Sequence, residues 1–181
     1  GEPIFTLLPF RKMKAGIVTT GSEVYHGRIK DQFTPVVKGK LEEAGMEVLG
    51  NTLCNDDSGM VTGAIREWIE KGAEVVVCTG GMSVDPDDRT PLAIRNAADE
   101  VITYGAPVLP GAMFMLAYAG DIPVMGRPGC VMYSKRTIFD LVLPRVAAGE
   151  RLCTEDFTVL GEGGLCLNCE VCTFPNCGFG K

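Results

Sequence analysis

Three short stretches place glycines, hydroxyls and carboxylates directly behind apolar runs: TTGSE at 19–23, TGGMSVDPDD at 79–88 and GRPGC at 126–130. Gly21, Gly80, Gly81 and Gly129 let a ligand approach the backbone, and free N–H groups where a helix follows can hold an anion. Thr20, Ser22 and Ser83 add hydroxyls. Glu23, Asp85 and Asp88 add carboxylates, which repel a bare phosphate. Their presence calls either for a divalent cation such as magnesium between acid and phosphate, or for a ligand whose heterocycle edge carries N–H donors. Arg127, followed by Pro128, is the candidate fixed charge for an oxyanion. Cys130 follows at the expected start of a helix, where a thiol pKa falls, although small residues are also common in such tight turns. His26, the one histidine, and Cys78 within VVVCT are read as an exposed loop residue and a small core residue.

A second concentration of chemistry closes the sequence. Cys166, Cys169, Cys172 and Cys177 follow one another in a C-x2-C-x2-C-x4-C run, half of the 8 cysteines of the chain. Four thiolates so close suit one tetrahedral zinc or an iron–sulfur cluster. The last gap is longer than in the ferredoxin run, and zinc ribbons separate their pairs more widely, so both metals remain open, with disulfides or free thiols as alternatives. With Leu165, Leu167, Val171 and Phe174 as its few apolar anchors, the segment is expected to take its folding energy from the metal.

The elements that must position these groups alternate between strand and helix. AGIVTTG (15–21), MEVLGNTLC (46–54), EVVVCTG (74–80) and DIPVMG (121–126) have strand character, and the unbroken β-branched run of the third suggests burial on both faces. Helical spacing covers 31–45, closed by Gly45, then 58–73 behind an Asp57 or Ser58 cap, a short stretch at 89–98, and a long one at 130–149. The segment 105–118 is expected to be a hairpin. This order predicts a three-layer α/β/α domain with a mostly parallel sheet over 13–150, followed by a short cysteine-rich extension over 151–181. Ligands of such sheets gather beyond the carboxyl ends of the strands, which is where the three glycine loops fall.

Composition narrows the partners. A chain of 181 residues that is 46% hydrophobic buries a full core, and a net charge of -6 argues against a nucleic-acid backbone as partner. The longest apolar stretch is broken by Pro110 and Gly111 and is too short for a membrane helix, which needs about 20 residues. Residues 1–12 lack the order of a secretory signal and an initiator Met, so they are expected to be a lead-in from a longer protein, and the location is expected to be cytoplasmic.

Over residues 13–150 the motifs TGSE (20–23), TGGMSVDPDDRT (79–90), LPGAM (109–113) and GRPGCV (126–131) resemble, in order and spacing, the molybdopterin-binding domain family of molybdenum cofactor biosynthesis, of the molybdenum-insertase and gephyrin E-domain type. The resemblance implies a pterin ligand, molybdopterin or its adenylate. It implies Glu23 and Asp88 as the acids of metal insertion and adenylate hydrolysis, Thr90 as the hydroxyl that accompanies Asp88, and Gly80, Gly81 and Ser83 as the backbone cradle of the second loop. Pro110 and Gly111 belong to the third loop. Leu109 and Ala112 stand where insertases carry lysines, Cys130-Val131 where they carry Asn-Pro, and DQF (31–33) where they carry D-S-N. The expected functions are therefore cofactor assembly with metal insertion, or a non-catalytic module that binds the cofactor and delivers it to a molybdoenzyme or another assembly protein. A nucleotide pyrophosphatase-like relative, with a divalent ion at Asp85 and Asp88, is a third alternative. A homo-oligomer is left open.

Overall fold

A computed structural model describes residues 3–129 and 133–181. Six strands form one sheet: β1 (Lys14–Thr20), β2 (Glu47–Cys54), β3 (Val75–Thr79), β4 (Glu100–Tyr104), β5 (Met115–Ala119) and β6 (Ile122–Arg127), in the order β2-β1-β3-β6-β5-β4. The first four in that order are parallel, while β5 runs antiparallel to both β6 and β4. The helices are α1 (Ser22–Tyr25), α2 (Phe33–Glu43), α3 (Ser58–Glu70), α4 (Thr90–Ala97), α5 (Ile138–Ala147) and α6 (Thr154–Thr158), with a 3-10 turn over Val159–Glu162. Among them, no helix is long and apolar enough to cross a membrane.

Alternation along the buried strands divides the core in two. Val75 and Val77 of β3 face one layer with Val37 and Leu41 of α2 and Phe139, Val142 and Val146 of α5. Val76 and Cys78 face the other, with Ile65 and Trp68 of α3 and Ile94 of α4. Every side chain of β3 is buried, which is why its sequence carries no polar alternation. The three-layer architecture expected from the sequence is therefore present.

Two elements depart from that expectation. β4 was not foreseen as a strand: EVITY lies at the sheet edge with no fully buried side chain, so it lacks the apolar run that marks the central strands. The helix expected over 130–149 is α5, which begins at Ile138, not near 130. Thr137 caps it, accepting from the Phe139 N–H, while Asp140 accepts from the Thr137 N–H in a capping box that stops the helix from extending toward its N-terminal side. Residues 130–132 of the expected helix lie outside the described residues.

The single tryptophan fixes how α3 lies on the sheet. A Cβ at Gly16 would stand 2.5 Å from Trp68 Cγ, and one at Gly50 would stand 2.8 Å from Trp68 Cη2, so two glycines on neighbouring strands form the slot for the indole. Gly16→Ala is accordingly expected to destabilise the fold by about 1–3 kcal/mol through overpacking. Urea unfolding checks this, and Trp68→Leu in the Gly16→Ala background should recover part of the loss.

Candidate functional site

The carboxyl ends of β1, β3 and β6 lie side by side, with Thr19 opposite Thr79 and Thr79 opposite Arg127. The loops that leave them therefore emerge from one edge. β4 runs in the same direction as β6, so the β4–β5 loop carrying Pro110 and Gly111 emerges there too. The chain places β2 on one side of β1 and β3 on the other, which makes this edge a topological switch point.

The first two loops are locked together. The Thr20 and Thr90 hydroxyls are 3.1 Å apart, and Thr90 Oγ1 also donates to the Gly80 carbonyl at 2.9 Å. All three residues are buried. A Cβ on Gly80 would stand 2.1 Å from the Thr20 carbonyl oxygen, and φ at Gly80 is 87°, so both space and backbone exclude a side chain. Met82 folds under the second loop, where a Cβ on Gly126 would meet its Cε at 2.7 Å, and this ties the loop to the end of β6.

The acids divide by exposure. Glu23 is exposed in α1, directly after Gly21 and Ser22, whose N–H donates to Asp56 Oδ2 at 2.9 Å. Asp85 is exposed, with its Oδ1 accepting from the Asp87 N–H at 2.9 Å. Asp88 is half-buried and turns back on its own loop, accepting from the Ser83 hydroxyl at 2.8 Å and from the Ser83 N–H. It also stands near the end of β4: burial first, and then the Asp88 carboxylate, push the Tyr104 phenol above its ordinary pKa. Gly81 completes the turn over the Thr90 and Thr20 hydroxyls.

The remaining walls differ more from expectation. Gly111, at φ 110°, lies against Ile138, where a Cβ would meet Cγ2 at 2.7 Å. Pro128 is buried, and a Cβ on Gly129 would touch the Phe33 ring at 3.5 Å, so the fourth loop rests on the start of α2. Arg127 is fully buried, its guanidinium carbon 4.5 Å from the Phe139 ring centroid, instead of standing in the open mouth as an exposed oxyanion anchor would. Cys130 lies outside the described residues.

Beneath these walls is a charged network that the sequence did not reveal. Lys40 Nζ donates to both Asp140 oxygens, at 2.5 and 2.6 Å, and to the Lys135 carbonyl at 3.3 Å. Arg136 adds a 2.9 Å bond to the same carboxylate. Burial alone would raise the pKa of Asp140, but the Lys40 ammonium, the Thr137 N–H and the Arg136 guanidinium outweigh it and hold the carboxyl below its usual range. Asp56 was also missed, although its place just past β2 at the carboxyl edge was a usable signal. Asp31 of the DQF segment keeps a structural task, accepting from the Phe33 and Thr34 N–H groups to start α2.

The four tail cysteines do not meet at one point: among the described residues no group of three or more His, Cys, Asp or Glu side chains is placed to hold a metal ion. None of the four is in a disulfide. Cys172 is held below its ordinary pKa by the Phe174 N–H and then by Arg136. Of the anchors expected for the tail, Phe174 packs on the core while the other three are exposed. Leu167 and Val171 are 81% and 76% exposed, whereas Phe179 is 2% exposed, and Phe174, Cys166 and Cys177 pack on the core.

The profile of a family described as "Probable molybdopterin binding domain" matches residues 16–149. A CinA-like protein of Mycobacterium tuberculosis is 36% identical over 77 residues, 42% of this chain and 18% of that protein, so the match spans less than a fifth of this relative's length. The fold is similar to that of the molybdopterin biosynthesis enzyme MoaB from Thermus thermophilus, with a TM-score of 0.64 and 21% identity over 76% of this chain and 98% of the other. It is also similar to the molybdopterin biosynthesis MoeA protein from Pyrococcus horikosii, with a TM-score of 0.61 and 24% identity over 77% of this chain and 35% of the other.

The Asp140 network yields a direct test. Asp140→Asn leaves Lys40 beside a neutral partner and is expected to destabilise the fold by about 3 kcal/mol at neutral pH. Because the folded-state pKa of Asp140 is depressed, its contribution is present above the unfolded value of about 3.9 and is lost as pH falls through the folded value. Urea unfolding of both proteins should therefore show a gap that is widest near neutrality and narrows in acid.

Proposed function

The chain belongs to the molybdopterin-binding domain family, and on that premise we propose that its carboxyl edge binds molybdopterin, or the adenylate of molybdopterin, as a step of molybdenum cofactor biosynthesis. The lock between the first two loops carries this reading: the Thr20 and Thr90 hydroxyls, 3.1 Å apart, hold the acids Glu23 and Asp88 at one sheet edge. Thr20, Gly21 and Ser22 with Gly80, Gly81 and Ser83 form the cradle, and the buried Thr90 holds it shut. A pterin edge offers N–H donors, which carboxylates accept. Pro110 and Gly111 form a third wall, and Pro128 and Gly129 a fourth.

Glu23 and Asp88 are the residues assigned to turnover of the adenylate and to metal insertion. A magnesium ion arriving with the adenylate needs only one or two carboxylates, its remaining ligands being phosphates and water, and Asp85 and Asp88 suit that role without a preformed cage. Residues 13–150 are the ligand-binding unit, residues 1–12 a lead-in, and 151–181 an extension with a task of its own. The enclosure of Arg127 and the apolar side chains of Leu109 and Ala112 favour a second reading. With no exposed cation from these three positions to receive molybdate, the domain binds cofactor and passes it to a molybdoenzyme or another assembly protein without inserting metal.

Incubation with molybdopterin, its adenylate, magnesium and molybdate, followed by mass analysis of the products, separates the readings. Molybdenum in the product supports insertion; adenylate cleavage without molybdenum supports a hydrolase; tight binding without conversion supports delivery; and no binding of any pterin species refutes the proposal. Asp88→Asn and Glu23→Gln are each expected to weaken adenylate binding or turnover by roughly 10- to 100-fold, as the loss of a charged hydrogen bond of about 1.5–3 kcal/mol implies. Thermal unfolding should move little. A fall in melting temperature in proportion to the loss of affinity would instead assign Asp88 to holding Ser83.

A further inference from the structure

The C-terminal extension forms a closed ring of chain. The Gly164 N–H donates to the Gly178 carbonyl at 2.7 Å and the Gly180 N–H to the Gly164 carbonyl at 3.0 Å, which ties the neck of the segment between them. Inside the ring lies a cavity of about 250 Å³, and all four of Cys166, Cys169, Cys172 and Cys177 line it. The walls between the thiols include Leu165, Leu167, Phe174 and Phe179. The cavity also meets Lys135, whose ammonium donates to the Cys169 and Glu170 carbonyls at 3.2 and 3.0 Å, and Arg136, whose guanidinium carbon lies 4.9 Å from the Phe174 ring centroid.

Two metal centres are compatible with four cysteines, and the space between the thiols decides between them. A tetrahedral zinc, with Zn–S bonds of about 2.3 Å, draws its sulfurs to roughly 3.8 Å from one another and leaves no void. Among the described residues, no three metal-ligating side chains gather in that way. A cubane cluster uses each cysteine on a different iron, so its four thiolates stand apart around a volume that the iron and sulfide fill. We propose that the cavity of the C-terminal ring is the seat of one [4Fe–4S] cluster, ligated by Cys166, Cys169, Cys172 and Cys177.

Charge and placement fit the same occupant. The cluster with its four thiolates is dianionic, and Lys135 and Arg136 supply two cations at its rim. Ligation balances without an external oxidant: two ferric and two ferrous ions, four sulfides and four thiols give the dianionic centre and release four protons. The Cys166 N–H donates to the Leu109 carbonyl at 3.1 Å, so the cluster sits against the loop that carries Pro110 and Gly111. The assignment stands independently of what the pterin edge binds.

The test uses the full chain, purified anaerobically and then reconstituted with equal ferric and ferrous iron and with sulfide. About four irons and four acid-labile sulfides per chain are expected, with broad visible absorption that bleaches on reduction. Cys169→Ser and Cys172→Ser should each lose most of the iron, sulfide and colour. Cys153→Ser, outside the ring, and Asp88→Asn, at the pterin edge, should retain them. Stoichiometric zinc that iron and sulfide do not replace, or four tail thiols still open to a thiol reagent after reconstitution, would overturn the assignment. Absence of pterin binding by the unsubstituted chain with an intact cluster would count against the pterin edge alone.

Discussion

Asp140 is the point on which the separate parts of this molecule converge. Its carboxylate, 5% exposed, accepts from the α2 lysine, from Arg136 and from the N–H that caps α5. Lys40 also holds the Lys135 carbonyl, and Lys135 in turn holds the backbone of the cysteine ring. One buried carboxylate thus sets the start of α5, the seat of α2 and the anchor of the extension. Its three partners are what make its burial tolerable, since an unpaired charge in that position would cost several kcal/mol.

The ligand edge depends on a different constraint, the closeness of two backbones. Gly80 passes so near Thr20 that only hydrogen fits between them, and the hydroxyls of Thr20 and Thr90 close the remaining gap. The contact of Thr20, Gly80 and Thr90 is therefore tight and uncharged, and the acids are carried outward on Glu23, Asp85 and Asp88. Arg127, at the end of β6, is enclosed beside the Phe139 ring.

What the sequence made legible was local. The unbroken run of β3, the helix of α3 behind its Asp57 cap and the glycine loops that follow the strands each depend on neighbours in the chain, and the sheet topology then brings the loops to one edge. β4 was missed because an edge strand with half-exposed side chains carries no clear period. The start of α5 was missed although Thr137 and Asp140, at capping-box spacing, signal it. The pairing of Lys40 with Asp140, 100 residues apart, has no local signature at all. Nor had the ordering of the cysteine ring by Phe179: three apolar residues earlier in the tail looked like better anchors, yet each is more than half exposed.

β5 is the one strand that runs against the rest, and this has a bearing on how the site can change. A parallel strand is reached by a helix that crosses the sheet, so altering the loop beside it risks displacing a packed layer. The β4–β5 loop returns directly along the same sheet, and lengthening such a return costs closing entropy of only about 0.6 kcal/mol per doubling. Residues 105–114 can therefore change without moving a crossover helix, so long as Val108 and Phe114 keep their places in the core and the Leu109 and Pro110 carbonyls keep the Cys166 and Ile138 N–H groups that bond them.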